Sequence, residues 1–112
     1  MNNGFVEIDS QERLEEFLTA SSGAAVLFKH SNMCGVSSRA YNEMAKLKKP
    51  VGLITVQKAR AVSDEIEKRW NVAHETPQVL IIRDGQLIWD ASHFRIKAEA
   101  VEAALSEAGS GQ

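Results

Sequence analysis

The stretch Ala24-Ala25-Val26-Leu27-Phe28-Lys29-His30-Ser31-Asn32-Met33-Cys34-Gly35-Val36-Ser37 carries an apolar strand straight into the start of a helix. Its first five residues form a continuous apolar run, as expected of a strand buried on both faces. Beyond the polar interval, Val36, Ala40, Met44 and Leu47 recur at helical spacing and leave Arg39, Glu43 and Lys46 outside. The spacing predicts a helix from near Cys34 to about Lys48, stopped by Pro50. In an α/β unit, the junction where a buried strand ends and the next helix begins is where ligands meet the protein.

Working outward, Phe5-Val6-Glu7-Ile8 reads as a short strand. Asp9 or Ser10 then caps a helix, Asp9 and Glu12 having capping-box spacing, and Leu14, Phe17 and Leu18 form its apolar stripe. Gly23 ends it. On the other side, Val51-Gly52-Leu53-Ile54-Thr55-Val56 is a second buried strand, and Val62, Ile66 and Trp70 mark a helix over Arg60 to Trp70. Val79-Leu80-Ile81-Ile82 and Gln86-Leu87-Ile88-Trp89 flank Arg83-Asp84-Gly85, a turn signal joining antiparallel strands. A last helix, about Lys97 to Ala108, turns Val101, Ala104 and Leu105 inward; Gly109 suits its end, and Ser110-Gly111-Gln112 should fray. The order is β-α-β-α-β-α-β-β-α: a mixed sheet flanked by helices, with right-handed crossovers and a hairpin at one edge. This is the element order of the thioredoxin fold, expected as one domain over 1–112 with an ordered core of about 5–108.

The bulk properties exclude several classes. A chain of 112 residues buries its own core without staples or metal. A net charge of -2 gives no reason to expect nucleic acid or an anionic membrane as partner. No basic start with an apolar run resembles a signal peptide, and no stretch approaches the roughly 20 apolar residues of a membrane span. Cys34 is the one cysteine, which argues against a disulfide-built secreted domain; a cytoplasmic location is the expectation. His30, His74 and His93 have no metal-ligand spacing, so no metal site is expected. Met33, Trp70 and Trp89 read as packing residues.

A lone thiol that does chemistry must bond to something outside the chain. At the N-terminus of a helix, its sulfur faces unpaired backbone N–H groups and the positive end of the helix dipole, both of which favour thiolate over thiol. An ordinary cysteine has a pKa of about 8.5, whereas cysteines at such sites fall to about 3.5–7.5. From Phe17 through Asn42 there is no Asp or Glu, while Lys29, His30 and Arg39 lie in that span. The bland alternative is a small buried hydrophobe, but Cys34 precedes the apolar stripe of its helix rather than joining it. Ser37, three residues on, stands where a dithiol protein carries its resolving cysteine and has a hydroxyl to donate to the sulfur; it is equally readable as a generic first-turn serine. Gly35 permits close approach of backbone and ligand or merely eases the helix start.

The second constellation is His74-Glu75-Thr76-Pro77-Gln78, at the start of the hairpin. A cis peptide between Thr76 and Pro77 would turn the backbone groups of Thr76 outward, beside Cys34, where a peptide or a peptide-like thiol could pair with them. Ser92 and His93 follow the last strand on a loop that could border the same cleft.

Phe28-Lys29-His30-Ser31, Cys34 and Ser37, with His74-Glu75-Thr76-Pro77-Gln78, Asp84-Gly85 and Ser92-His93, resemble the YtxJ-like monothiol bacilliredoxins over nearly the whole chain, from about Phe5 to the last helix. The resemblance implies a thioredoxin-like thiol–disulfide oxidoreductase that removes bacillithiol, a low-molecular-weight thiol with a malate group, from S-thiolated client proteins. It implies Cys34 as nucleophile, Ser37 in place of a resolving cysteine and Pro77 as a cis-proline. Gly35, Val36, Ser37 and Lys29 would stabilise the thiolate. His30, Arg39, Thr76, Pro77, Ser92 and His93 would bind substrate. No tightly bound cofactor is expected, with the small thiol as co-substrate. The sequence departs from the family's Cys-Pro-Ile-Ser at Cys34-Gly35-Val36-Ser37. Cys-Gly-x-Ser is also similar to the Cys-Gly-Phe-Ser of monothiol glutaredoxins, which implies a [2Fe-2S] carrier, although Asp90-Ala91-Ser92-His93 lacks their Gly-Gly-x-Asp. A non-catalytic thioredoxin-like binding module or redox sensor is the third alternative.

Overall fold

The computed structural model describes residues 4–21, 23–33 and 35–110, the side chains of 108–110 excepted, and Cys34 lies outside the described residues. Along the chain run β1 (Phe5–Glu7), α1 (Gln11–Ala20), β2 (Ala24–His30), α2 (Gly35–Met44), β3 (Val51–Thr55), α3 (Arg60–Trp70), β4 (Gln78–Arg83), β5 (Gln86–Ser92), a 3-10 turn (His93–Arg95) and α4 (Ala98–Ser110). The strands form one sheet in the order β1-β3-β2-β4-β5. β1, β3 and β2 are parallel, and β4 and β5 add antiparallel to β2. The expected order of strands and helices holds, and this is a thioredoxin fold.

β2 is the central strand, and Ala24 through Lys29 are all buried. Alternation sends its side chains to two separate cores. Val26 and Phe28 pack with Ala40 and Met44 of α2 and Val101 of α4. Ala25 and Leu27 pack with Leu14 and Phe17 of α1 and Val62 and Ile66 of α3. Gly52 permits that second layer to close, because a Cβ there would lie 2.6 Å from Ile8 Cδ1 and 2.9 Å from Phe17 Cε2. The β4–β5 turn is the two residues Asp84 and Gly85, with φ of 52° and 78°. Positive φ at both matches the type I′ geometry that suits strand twist.

Several boundaries differ from expectation. Of the two expected cap candidates, Ser10 caps α1 by accepting the Arg13 N–H at 3.2 Å, while Asp9 pairs with the Arg13 side chain at 3.4 Å. α2 ends at Met44 rather than near Lys48, because Lys46 and Leu47 N–H groups bond back only three residues, to Glu43 and Met44; the helix tightens and stops before Pro50 is reached. β5 runs to Ser92, well past Trp89, so Ser92 belongs to the strand and pairs with Gln78. α4 continues through Gly109 to Ser110, while Gly111 and Gln112 lie outside the described residues. Glu43 of α2 accepts the Ala98 N–H at 2.8 Å and so caps the start of α4 from the neighbouring helix. Met33 is 82% exposed and packs into neither core. Among the described residues, no helix is long and apolar enough to cross a membrane.

Candidate functional site

The segment that carries Cys34 leaves β2 at His30 and enters α2 at Gly35. A loop of polar residues at a strand end needs partners for its backbone groups, and here side chains provide them. Ser37, fully buried on the first turn of α2, accepts the Ser31 N–H at 2.9 Å and lies 2.8 Å from His30 Nδ1. Ser31 Oγ accepts the Met33 N–H at 3.3 Å and a hydrogen bond from Gln57 Nε2 at 2.8 Å. Gln57 Oε1 accepts the Asn32 N–H at 3.3 Å. His30 and Ser31 are therefore tied to α2 through Ser37, and Ser31 and Asn32 to the β3–α3 turn through Gln57.

The His30 ring sits between Phe28 and Tyr41, with centroids 5.4 and 5.1 Å away. Burial lowers its pKa from 6.5, while Glu7 and the hydrogen bond with Ser37 push it back up. The Lys29 side chain projects to the other face of the sheet, and its pKa is lowered as well. It is fully buried, its Nζ has no hydrogen-bond partner, and burial lowers its pKa against the opposing pull of Glu67, Asp64 and Glu75. Across the ladder Lys29 faces Gln78, whose Nε2 donates to Ala73 O at 3.1 Å and whose Oε1 is also buried without a partner. The acid-free window of the sequence is thus not acid-free in space: the fold returns Glu7 toward His30 and three carboxylates toward Lys29.

The Thr76–Pro77 peptide is cis. Thr76 is half-buried and Pro77 buried. His93 fixes this segment twice, through its N–H to Pro77 O at 3.0 Å and its Nε2 at 3.3 Å from Glu75 Oε1. His93 itself has φ of 57°, in the left-handed region that favours glycine. His74 lies 3.3 Å from Ser63 Oγ, and burial first, then Lys29, lowers its pKa. Beside the 3-10 turn, the exposed Arg39 guanidinium lies 5.9 Å from the centre of the Phe94 ring, itself 61% exposed.

The structure thus brings Ser37 together with His30, and Pro77 with His93. Arg39 meets the turn that His93 begins. Lys29 lies apart, on the α3 side of the sheet. Val36 is half-buried, and Gly35 is exposed, with nothing within 4 Å of where a Cβ would stand. Ser31, Gln57, Glu75 and Phe94 complete the arrangement and were not among the expected site residues. Ser31 had a signal in its place at the strand end; Gln57, 26 residues away from it, had none.

A thioredoxin fold with one cysteine at the junction of β2 and α2, a serine three residues beyond and a cis-proline at the start of β4 defines a thioredoxin-like protein of monothiol type. The monothiol bacilliredoxin BrxC family matches residues 6–101, and the chain belongs to that family. Among solved structures it is similar to a thioredoxin-fold protein provisionally described as an oxidoreductase, at 27% identity and a TM-score of 0.84, covering 90% of this chain and 93% of that one. It shares its fold with the Malassezia sympodialis thioredoxin Mala s 13, at 16% identity and a TM-score of 0.71 over 96% of this chain and 93% of that one. The same holds for mitochondrial thioredoxin 3 of Saccharomyces cerevisiae, at 16% identity and a TM-score of 0.72 over 92% and 94%.

Proposed function

We propose that the protein is a monothiol thiol–disulfide oxidoreductase that frees S-thiolated client proteins from a low-molecular-weight thiol, bacillithiol in the first instance. The observation that carries this reading is family membership in a chain with a single sulfhydryl, where Ser37 holds the place of a resolving cysteine with its hydroxyl engaged by His30 and Ser31. The Cys34 thiolate attacks the small-thiol sulfur of the client's mixed disulfide. A sulfur–sulfur bond forms to Cys34, the old one breaks, and the electron pair leaves on the client sulfur, which takes a proton from water. A second small thiol, as thiolate, then attacks the adduct, releasing Cys34 and a small-molecule disulfide. With one thiol in the chain, no intramolecular step competes.

Chain residues contribute around the sulfur. Gly35, Val36 and Ser37 form the helix start whose dipole favours thiolate. The exposed Arg39 and the half-buried Thr76 and Ser92 offer charge-assisted and neutral hydrogen bonds to a carboxylate-bearing thiol. Chemistry of this kind suits a reducing cytoplasm. The test is intact-mass analysis with a bacillithiol-modified client. The wild type should free the client and gain the mass of the small thiol on Cys34, and Cys34→Ser should do neither. Undiminished client release by Cys34→Ser would end the proposal.

A further inference from the structure

Phe94 is an aromatic side chain that the fold leaves outside both cores. It is 61% exposed, although the turn that carries it is fixed at both ends. The His93 N–H donates to Pro77 O at 3.0 Å, and the Ile96 N–H closes the turn on His93 O at 3.2 Å. Ile96 is itself buried in the core with Ala40 and Met44 of α2. The turn is thus anchored without the Phe94 ring, and the ring is held out over a cation: the Arg39 guanidinium of α2 lies 5.9 Å from its centre.

This pairing differs from an ion pair in what it leaves free. A ring face attracts a cation but takes no hydrogen bond from it, so the five N–H donors of the guanidinium stay available. A carboxylate in the same place would hold Arg39 and occupy those donors. The acids that approach this region are already engaged. Glu43, one turn beyond Arg39, accepts from the Ala98 N–H and from Lys46 Nζ, and Glu75 meets His93. Among the described residues Arg39 forms no ion pair, and neither do Arg95 of the turn and the Lys97 that follows it.

We infer that Phe94 is a positioning residue for Arg39, and that the pair makes the protein select a small thiol bearing a carboxylate over a neutral one. The inference rests on the reading of the protein as a thiol-transfer enzyme. Arg39 stands on the face of α2 that Gly35 begins, four residues and roughly 6 Å of helical rise further on. That face is open at Gly35, where nothing lies within 4 Å of a Cβ position. Cys34 directly precedes Gly35 in the chain. A small thiol joined there has a span of a few bonds to cover before its carboxylate meets a guanidinium whose donors are unspent, in the planar two-bond geometry that carboxylates favour.

The experiment compares two symmetric disulfides at fixed ionic strength, 3,3′-dithiodipropionate and neutral 2-hydroxyethyl disulfide. In each, the Cys34 thiolate bonds to one sulfur, the S–S bond breaks, and the other half leaves as a thiolate; intact mass follows the adduct. The readout is the ratio of the two second-order rate constants, charged over neutral. Phe94→Leu, which keeps an apolar side chain but no ring face, should lower this ratio about 2- to 5-fold. Phe94→Tyr should restore it. Arg39→Gln should lower it at least as far, and adding Phe94→Leu to Arg39→Gln should change nothing more. A ratio unmoved by Phe94→Leu, or lowered by it equally when Arg39 is already Gln, overturns the inference. A second measurement does not use the thiol: in Cys34→Ser, succinate followed by NMR should shift the Arg39 Nε–H and Phe94 ring signals together, and a titration that moves neither also overturns it. A wild type that gains neither adduct on Cys34, while succinate still shifts both signals, overturns the transfer reading instead.

Discussion

Lys29 and His30 are neighbours on β2, yet their side chains enter two differently built regions. On the α2 side, His30, Ser37, Ser31 and Gln57 form a chain in which donors meet acceptors. On the α3 side, Lys29 Nζ and Gln78 Oε1 are both buried with no hydrogen-bond partner, although the two residues oppose each other in the ladder. Buried polar groups are favourable when partnered and unfavourable when not. The α2 side therefore holds its loop in one geometry, whereas the α3 side keeps an amine that the rest of the fold must offset. The first region positions groups; the second carries a standing desolvation penalty.

The largest expected effect comes from breaking the satisfied side. Ser37→Ala removes the acceptor of the Ser31 N–H and the partner of His30 Nδ1 together. A buried group left unsatisfied costs about 1–3 kcal/mol, so the urea midpoint should fall by that free energy with the slope unchanged. If Ser37→Ala unfolds at the wild-type midpoint, the two regions do not differ in the way described.

The opposite sign is expected on the other side. Lys29→Met keeps the length of the stem and removes the orphan amine, and should raise stability by about 1 kcal/mol. A loss of stability would mean that the amine is held by more than packing.

The contrast bears on what could be read from the chain alone. Strands and helices were readable because apolar runs and i, i+4 repeats report burial directly: α3 spans Arg60–Trp70 as its Val62, Ile66 and Trp70 spacing indicates. The end of α2 was not, since it depends on hydrogen bonds that slip from four residues to three after Met44. The cis Thr76–Pro77 bond had a signal in the proline at a strand start. Lys29 reads as a thiolate-stabilising cation because it lies in the acid-free span from Phe17 through Asn42, but strand alternation turns it to the α3 face of the sheet with Leu27. Gln57 and Ser31 meet through side-chain bonds between distant segments, and no periodicity encodes such a pairing.

Smaller and pH-dependent effects should follow from the histidines. Burial lowers the pKa of both His30 and His74 from 6.5 in the folded chain. Below about pH 6.5 the unfolded chain binds protons that the folded one refuses. Stability should thus be full above that pH and decline as pH falls from 6.5 through the folded-state values. His30→Phe should flatten this decline in urea titrations and leave the part due to His74. An acid decline identical to wild type would remove His30 from the account.

The smallest global effect should come from Gln57→Ala, because Gln57 is exposed and water can replace part of what it does. Its two bonds, to Ser31 Oγ and from the Asn32 N–H, join the β3–α3 turn to the loop before α2. Losing them should lower global stability by about 0.5–1 kcal/mol, while the Asn32 and Met33 amides exchange with solvent markedly faster than in wild type. Exchange of the β2 amides, which are held by both β3 and β4, should change only as far as global stability does. A uniform acceleration across loop and strand would make Gln57 a general stabiliser; acceleration confined to Asn32 and Met33 would make it the brace that orders the approach to Cys34 from the turn after β3.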